Sequence, residues 1–398
     1  MQVALERTDA VRLAALPPLA LYVHIPWCVR KCPYCDFNSH ERAGALPELA
    51  YIDRLMRDLE ESLPWVWGRR ASSVFIGGGT PSLFSPASID RLLSGLRARL
   101  PLDPEAEITL EANPGTVEAE RFRGFREAGV NRISLGVQSF DARMLQRLGR
   151  IHGGEEAARA VGAALSSFGN VNIDLMYGLP GQTPDMARAD LERAVAYGVP
   201  HISAYQLTIE PNTVFWRRPP VLPEHDASAE MQAGAEALLA QAGYEHYETS
   251  AFSKSDRRSD RRSQHNLNYW RFGDYLGLGA GAHGKVSYPD RITRHARAKQ
   301  PAEYLAMADT LVEQREITAA ELPLEFMLNA LRLVEGFETA LFTERTGLPL
   351  ARIEGRLQEA EARGLIERDW KRIRPTERGR LFLNDLLALF LDDGSKSR

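Results

Sequence analysis

Residues 19–35 read Leu-Ala-Leu-Tyr-Val-His-Ile-Pro-Trp-Cys-Val-Arg-Lys-Cys-Pro-Tyr-Cys, so a short apolar run leads directly into all three cysteines of the 398-residue chain. Cys28, Cys32 and Cys35 cannot form a disulfide framework, because their number is odd and the chain has no other cysteine. Thiolate sulfur suits soft metals, and iron–sulfur clusters are held by cysteines from short loops. Three thiolates leave one iron of a cubane cluster open to a substrate or cofactor. The segment therefore predicts a site of chemistry rather than a structural staple.

Two other interpretations of the cysteines stay open on spacing alone. The three thiolates could bind zinc with a histidine as the fourth ligand, and His24 and His40 are near enough in sequence. They could also be unrelated reduced thiols of a cytosolic protein.

The sequence after this segment alternates short β-rich runs with longer helical patterns up to about residue 215. The predicted strands are Leu19–Ile25, Ser73–Ile76, Glu107–Glu111, Arg132–Leu135, Asn170–Leu175 and His201–Leu207. The predicted helices between them are Pro47–Leu63, Pro86–Leu100, Glu118–Ala128, Glu155–Ser167 and Pro184–Tyr197. Such alternation indicates parallel pairing with right-handed crossovers. We expect an α/β fold, a partial (β/α)6 barrel similar to a TIM barrel, over residues 1–215.

The pattern changes after a proline-rich connector near residue 220. Residues 216–309 predict a small α+β extension, with a helix at Ala227–Gln241, a strand at Tyr244–Phe252 and a polar, basic loop at 253–263. Residues 310–398 predict a C-terminal helical module, similar to a winged helix, that carries a hairpin at Gly364–Thr376 and a closing helix at Glu377–Phe390.

Composition excludes several classes of function. A formal net charge of −4 gives no reason to expect a nucleic-acid partner. No apolar run approaches the roughly 18 residues that span a bilayer, so we expect no transmembrane segment. Unpaired cysteines and an oxygen-sensitive cluster favour a cytoplasmic location.

Polar or flexible residues stand where the predicted strands end. Gly77-Gly78-Gly79-Thr80-Pro81 follows the second strand, and Glu111 ends the third. Gln138, Arg150 and Asp174 occupy comparable positions later in the alternation. Because chemistry in such folds gathers at the carboxyl ends of the strands, we expect these residues to meet the cysteines at one rim. Asp174 is the most informative, since an unpartnered carboxylate in an apolar strand would be costly.

Together these motifs resemble the radical S-adenosylmethionine (SAM) superfamily. The resemblance is carried by Tyr-Val-His-Ile-Pro-x-Cys-x-x-x-Cys-x-Tyr-Cys, Gly-Gly-Gly-Thr-Pro, Gly-Val-Gln-Ser-Phe and Ile-Asp-Leu-Met-Tyr-Gly-Leu-Pro, in that order. More narrowly, the chain resembles the oxygen-independent coproporphyrinogen III oxidase group and its sister family, the HemW haem chaperones.

The resemblance implies a 4Fe–4S cluster on Cys28, Cys32 and Cys35, with SAM chelated to the open iron. It also implies that the following residues line the SAM site: Tyr22, Tyr34, Gly78, Gly79, Thr80, Glu111, Gln138, Arg150 and Asp174. In the superfamily, an electron from the cluster cleaves SAM to a 5′-deoxyadenosyl radical and methionine.

The two sister families differ in class of function. The oxidases decarboxylate propionate side chains of coproporphyrinogen III to vinyl groups, whereas HemW-type proteins carry haem to acceptor proteins. Oxidases have a further cysteine two residues after the third, where this chain has Phe37, and they have a longer N-terminal extension. Both departures favour a chaperone with haem as cargo and haem-dependent respiratory proteins as partners, met at a membrane surface through the partner. A coproporphyrinogen III dehydrogenase and another radical SAM activity are the alternatives.

The segment His265-Asn266-Leu267-Asn268-Tyr269-Trp270 resembles the His-Asn-x-x-Tyr-Trp motif of the HemW group. An imidazole can ligate haem iron, and aromatic rings can stack on the macrocycle. The alternative interpretation is a capped loop with its two aromatic residues buried against the barrel. His283, flanked by glycines that permit close approach, is another candidate ligand. No Cys-x-x-Cys-His is present, which excludes covalent attachment of the c type.

Overall fold

A computed structural model describes residues 10–116, 119–254 and 260–391 of the chain. Two of the predicted elements include residues outside these ranges: the helix predicted at Glu118–Ala128, at its first residue, and the polar loop predicted at 253–263, at positions 255–259. The three predicted domain ranges, 1–215, 216–309 and 310–398, also include such residues.

The first half of the chain forms the predicted alternation of strands and helices. Its strands are β1 (Leu19–Ile25), β2 (Trp27–Cys28), β3 (His40–Glu41), β4 (Ala71–Gly78), β5 (Leu102–Ala112), β6 (Arg132–Gln138), β7 (Val171–Tyr177) and β8 (His201–Gln206). Its helices are α1 (Glu48–Ser62), α2 (Pro86–Arg99), α3 (Ala119–Glu127), α4 (Ala142–Arg147), α5 (Gly154–Ser167), α6 (Pro184–Ala196) and α7 (Val214–Arg217).

Six of these strands form the parallel core of the sheet, in the order β1-β4-β5-β6-β7-β8. Their order in the sheet follows their order in the chain, so all their carboxyl ends lie along one rim. This is the predicted (β/α)6 arrangement. The short strands β2 and β3 pair outside it and bracket the cysteine loop, with Cys28 opposite Glu41.

The extension continues this sheet instead of forming a separate layer. Its elements are α8 (His225–Gln241), β9 (Glu245–Glu248), β10 (Ala251–Ser253), α9 (Gln264–Trp270), β11 (Asp274–Leu278), β12 (His283–Ser287), β13 (Ile292–Arg297), α10 (Pro301–Ala306) and β14 (Leu311–Glu316). β11 pairs in parallel with β1, and β12, β13 and β14 follow it as antiparallel neighbours. β10 and β9 extend the opposite edge beyond β8, which gives twelve strands in one open series.

The sequence analysis missed β11 to β14 and took β9 and β10 for one strand. These segments are short, and they are stabilised by pairing with β1 and β8, which lie far away in sequence. Local propensity carries little of that information.

The C-terminal module comprises α11 (Leu322–Ala330), β15 (Phe337–Glu338), α12 (Thr339–Thr346), α13 (Glu354–Ala362), β16 (Ile366–Arg368), β17 (Arg372–Pro375), α14 (Glu377–Leu381) and α15 (Leu383–Ala388). The predicted hairpin is present as β16 and β17, with β15 on the other side of β17. The predicted closing helix is divided at Phe382, where the backbone leaves the helical region.

Two large apolar cores, with two smaller clusters beside them, hold these parts together. One runs from Leu19 in β1 to Tyr304 in α10, and so includes the parallel strands and much of the extension. The other fills the C-terminal module and also takes in Val11, Phe272 and Ile292. The three-part division at residues 215 and 309 stays a prediction. Within the described residues, no helix combines the length and the apolar character that crossing a bilayer requires.

Candidate functional site

The carboxyl ends of the parallel strands enclose a cavity of about 420 Å³, here called the strand-end cavity. Eleven of the twelve residues predicted for the cluster and SAM lie in its wall: Cys28, Cys32, Cys35, Tyr34, Gly78, Gly79, Thr80, Glu111, Gln138, Arg150 and Asp174. Asn266, predicted at the haem site, also lines it. The rim predicted from the strand–helix alternation therefore brings these side chains together.

The three cysteines are free thiols, each half-buried at this cavity. Each sulfur has a polar side chain beside it. Thr80 Oγ1 donates to Cys28 Sγ at 3.5 Å, Arg150 Nη1 donates to Cys32 Sγ at 3.5 Å, and Ser39 Oγ lies 3.7 Å from Cys35 Sγ. Such contacts stabilise thiolate charge and suit the sulfur ligands of an iron–sulfur cluster.

The histidines offered as a fourth zinc ligand are engaged elsewhere. Nδ1 of His24 lies 2.9 Å from the Tyr22 hydroxyl, and Nε2 lies 2.8 Å from the carbonyl oxygen of Asn38. Nε2 of His40 lies 3.2 Å from Oδ1 of Asn38. Among the described residues, no three histidine, cysteine or acidic side chains are placed to hold one metal ion. A cubane differs from zinc here because each thiolate binds a different iron, so the sulfurs need not converge on a point.

The glycine run brings backbone close to the cysteine loop. Gly78 has a φ of +114°, and a Cβ there would meet the His24 ring at 2.7 Å. A Cβ on Gly79 would lie 2.6 Å from the carbonyl oxygen of Trp27. Both positions therefore require glycine, which leaves backbone polar groups at the cavity wall.

Two carboxyl groups face the cavity from neighbouring parts of the rim. Oε2 of Glu111 accepts from the Gly78 amide at 3.1 Å, and burial, followed by the nearby charge of Asp174, raises the pKa of Glu111 to about 8. Asp174 accepts from Ser134 at 3.1 Å and from Asn172 at 2.7 Å. Burial raises the pKa of Asp174 despite these bonds. The pair can accept hydrogen bonds from hydroxyl or ammonium groups of a ligand.

Several residues of the wall were missed by sequence reasoning. Asn113 donates to Thr80 Oγ1 at 2.8 Å and accepts from Arg150, so it joins the partners of two sulfurs. Its place directly after β5, in Glu-Ala-Asn-Pro, was the available signal. Asn172 and Ser134 point to the same cavity from within strands, where only an unusual polar residue in an apolar run could have marked them.

Gln138 ends β6 with a φ of +68°, which is uncommon for a residue with a side chain. Strain of this kind persists where the surrounding structure holds it, and it often marks a functional position. The backbone conformation of Gln138 is thus consistent with a functional position, and its contact with a cofactor stays a prediction.

A second cavity of about 770 Å³, here called the aromatic cavity, lies beside the first. It is lined by Tyr22, His265, Asn266, Tyr269, Trp270 and His283, together with residues from the end of the cysteine loop. The two cavities share a wall made by Cys35, Phe37, Ser39, Phe75, Gly78, Glu111, Tyr205 and Asn266. Tyr22, predicted at the SAM site, is thus placed on the aromatic cavity.

The motif 265–270 forms helix α9, which Ser263 caps by accepting from the Asn266 amide. His265 is buried, with its ring 5.0 Å from that of Phe75 and 5.2 Å from that of Tyr269. Its Nδ1 lies 3.1 Å from Ser73 Oγ. Burial, with Arg132 nearby, lowers the pKa of His265 to about 3, so the imidazole is neutral. The motif is thus capped and packed, and its aromatic residues also line a cavity, while its role in binding haem stays a prediction.

Known proteins match this chain over most of its length. Residues 22–194 match the model of the Radical SAM superfamily, and residues 317–382 match that of the HemN C-terminal domain. The chain is 51% identical over 384 residues to a protein of Escherichia coli (strain K12) named "Heme chaperone HemW", with 95% of this chain and 100% of that protein covered. A protein of the same name from Haemophilus influenzae is 48% identical, with 95% and 99% covered.

Among solved structures, coproporphyrinogen III oxidase (HemN) from Escherichia coli resembles the chain with a TM-score of 0.79 and 24% identity. The match covers 95% of this chain and 91% of that one. At this level of identity the likeness establishes the fold, a radical SAM α/β fold with a C-terminal module, and leaves function to other evidence.

Proposed function

Because the chain belongs to the HemW family of the radical SAM superfamily, we propose that it is a haem chaperone that binds haem and delivers it to haem-dependent proteins. The observation that carries the proposal is the aromatic cavity. It lies directly against the strand-end cavity, so the chain offers separate room for a cargo beside the site for the superfamily's cofactors.

The strand-end cavity suits a 4Fe–4S cluster and SAM. Cys28, Cys32 and Cys35 would hold the cluster, which when bound supplies one-electron chemistry at its open iron. Thr80 and Arg150 donate to Cys28 and Cys32, and the Ser39 hydroxyl lies beside Cys35. These contacts favour the thiolate form and oppose burial, which raises the pKa of Cys28 and Cys35.

The remaining residues of this cavity suit the polar groups of SAM. Glu111 and Asp174 accept hydrogen bonds, the backbone of Gly78 and Gly79 is accessible, and Gln138 and Tyr34 complete the wall. Hydrogen bonds between these buried side chains and a ligand would be stronger than in water, because the local dielectric constant is low.

The aromatic cavity suits a large, flat, apolar cargo with acidic side chains. Its volume lies in the upper part of the range of roughly 300–1,000 Å³ found for small-molecule and cofactor pockets. Tyr269 and Trp270 supply aromatic surface, while Lys299 and Arg332 supply positive charge. Haem combines an aromatic macrocycle with two propionates and matches both features.

Phe37 favours a chaperone over a porphyrinogen oxidase. Its ring is 59% exposed and stands in the wall between the two cavities. An apolar ring at that point can contact a macrocycle but offers no sulfur for redox chemistry. We place the protein in the cytoplasm, with haem-accepting proteins as its partners.

The proposal is tested by titrating the cluster-reconstituted protein with haem under anaerobic conditions. We expect about one haem per chain and its transfer to a haem-depleted b-type respiratory enzyme, whose activity returns. Absence of stoichiometric binding would contradict the proposal. Formation of vinyl-bearing product from coproporphyrinogen III under reducing conditions would instead support the oxidase alternative.

A further inference from the structure

We propose that His283 supplies the imidazole that binds haem iron in the aromatic cavity, and that His265 of the His-Asn-x-x-Tyr-Trp motif positions the aromatic wall. The inference rests on the proposed function, since it names the ligand within that cargo site. It separates two of the four histidines that line the cavity, His265 and His283, which differ in accessibility. The other two, His24 and His40, already have hydrogen-bond partners in Tyr22 and Asn38.

His265 is poorly placed to reach a metal in the cavity. Its side chain is 2% exposed and lies between the rings of Phe75 and Tyr269. Nδ1 is occupied by Ser73 Oγ, and Nε2 is buried without a hydrogen-bond partner among the described residues. A bond to haem iron needs a nitrogen lone pair that the iron can approach. His265 could provide one only by leaving its stacked position, which would open a void in close-packed aromatic residues.

His283 has the accessibility that His265 lacks. It is the first residue of β12, its side chain is exposed, and it lines the same cavity. In the described part of the chain its imidazole has no hydrogen-bond partner, so both ring nitrogens are available. Burial of part of the ring and the nearby charge of Lys299 lower its pKa, which keeps the imidazole in the neutral form that binds metals.

The backbone that carries His283 is fixed. His283 pairs with Ala296 in β13, and the Arg297 amide donates to the carbonyl oxygen of Ala282 at 2.9 Å. The preceding turn is tied to the cysteine loop, because Nδ2 of Asn38 donates to the carbonyl oxygen of Ala280 at 3.0 Å. A ligand held on a rigid strand end is more precisely placed than one on a free loop.

Positive side chains on the wall of the same cavity match the rest of the cargo. Lys299 is exposed at the cavity and close enough to His283 to affect its pKa. Arg332 lies over the Trp270 ring, with its guanidinium carbon 4.7 Å from the ring centre. Cations on the wall can pair with propionates while the macrocycle packs on Trp270 and Tyr269.

The test compares full-length His283→Ala, His265→Ala and wild-type protein by absorption and electron paramagnetic resonance of bound ferric haem. We expect His283→Ala to lose the imidazole-ligated spectrum and about tenfold or more in affinity, with recovery of the spectrum on adding free imidazole. His265→Ala should keep the ligated spectrum but lower the melting temperature. His225→Ala, an exposed histidine on α8 away from the cavity, is the matched control.

The outcomes separate this inference from the proposed function. An unchanged ligated spectrum in His283→Ala, with normal haem stoichiometry, would overturn the His283 assignment and leave the chaperone proposal standing. Loss of ligation in a folded His265→Ala protein would also overturn it. Failure of the wild-type protein to bind haem would overturn both.

Discussion

The strand-end cavity and the aromatic cavity share a wall, yet the chain builds them in different ways. The first is assembled from the cysteine loop that follows β1 and from residues of the five parallel strands β4 to β8, which follow one another in sequence. The second is assembled from parts that are distant in the chain, such as Tyr22 in β1, Trp270 in α9 and His283 in β12. The residues proposed to hold the cofactors thus come from the parallel strands and the cysteine loop, whereas the proposed cargo site also needs residues of the extension.

The difference implies that the proposed cofactor site can be removed without removing the proposed cargo site. Cys32 lines only the strand-end cavity, whereas Cys35 lines both. Cys32→Ala should abolish cluster formation, because two thiolates cannot hold a cubane, while haem stoichiometry is unchanged. Iron and sulfide analysis and an anaerobic haem titration measure the two properties. Loss of haem binding along with the cluster would show that the two cavities depend on each other, which contradicts this prediction.

The proposed cargo site is supported instead by a network of buried charged side chains around Asp58. Asp58 of α1 is fully buried and accepts from the Gly279 amide at 3.2 Å and from Tyr304 at 2.6 Å. It also lies 3.6 Å from Arg54 and 3.4 Å from Arg297, both buried. These contacts hold the turn that precedes His283.

Asp58→Asn should lower the free energy of unfolding by about 3–5 kcal/mol, because it leaves two buried guanidinium groups without their shared carboxylate. Urea denaturation measures the change. The control is Asp53→Asn. Asp53 lies on α1, like Asp58, but it is exposed and pairs with Arg91 of α2, so its loss should change the free energy of unfolding by less than about 1 kcal/mol. Equal effects of the two substitutions would show that burial of the network contributes nothing.

The same contrast explains how much the sequence could predict. The strand-end cavity was predictable because a parallel alternation fixes where strand ends lie, so Glu111 and Asp174 could be placed without any knowledge of packing. The motif at 265–270 was visible, but the orientation of His265 was not. Its burial depends on Phe75 and Tyr269 packing against it, which no local pattern records. The strands that carry His283 were missed for the same reason, since they are stabilised by pairing that begins at β1.

The polar character of the strand-end cavity should appear as a pH dependence of stability. Glu111 has a pKa of about 8 in the folded protein, chiefly because of burial, against an ordinary value of 4.5. Above pH 4.5 the unfolded chain releases this proton and the folded chain retains it, so the stability contributed by Glu111 falls as the pH rises toward 8.

Glu111→Gln should therefore gain stability relative to wild type between pH 5 and 8, reaching an advantage on the order of 1–3 kcal/mol that stays constant at higher pH. Thermal unfolding of the cofactor-free protein across this range measures the difference. Glu60→Gln is the control, because Glu60 is an exposed ion-pair partner of Arg99. Its stability relative to wild type should not change with pH over this range. A stability gap that is flat from pH 5 to 8 would show that Glu111 is already ionised in the folded protein.

The smallest expected effect concerns the shared wall itself. Phe37 is 59% exposed and lines both cavities, so its ring contributes little to folding but can contact a macrocycle in the aromatic cavity. Phe37→Ala should leave cluster content and melting temperature unchanged and weaken haem binding by about threefold to tenfold, the value of one partly buried aromatic contact. Trp67→Ala, which removes a ring that is 83% exposed and lines neither cavity, should leave haem binding unchanged. A lower cluster content with unchanged haem affinity in Phe37→Ala would contradict this prediction. The Phe37 ring would then support only the strand-end cavity and would not contact haem.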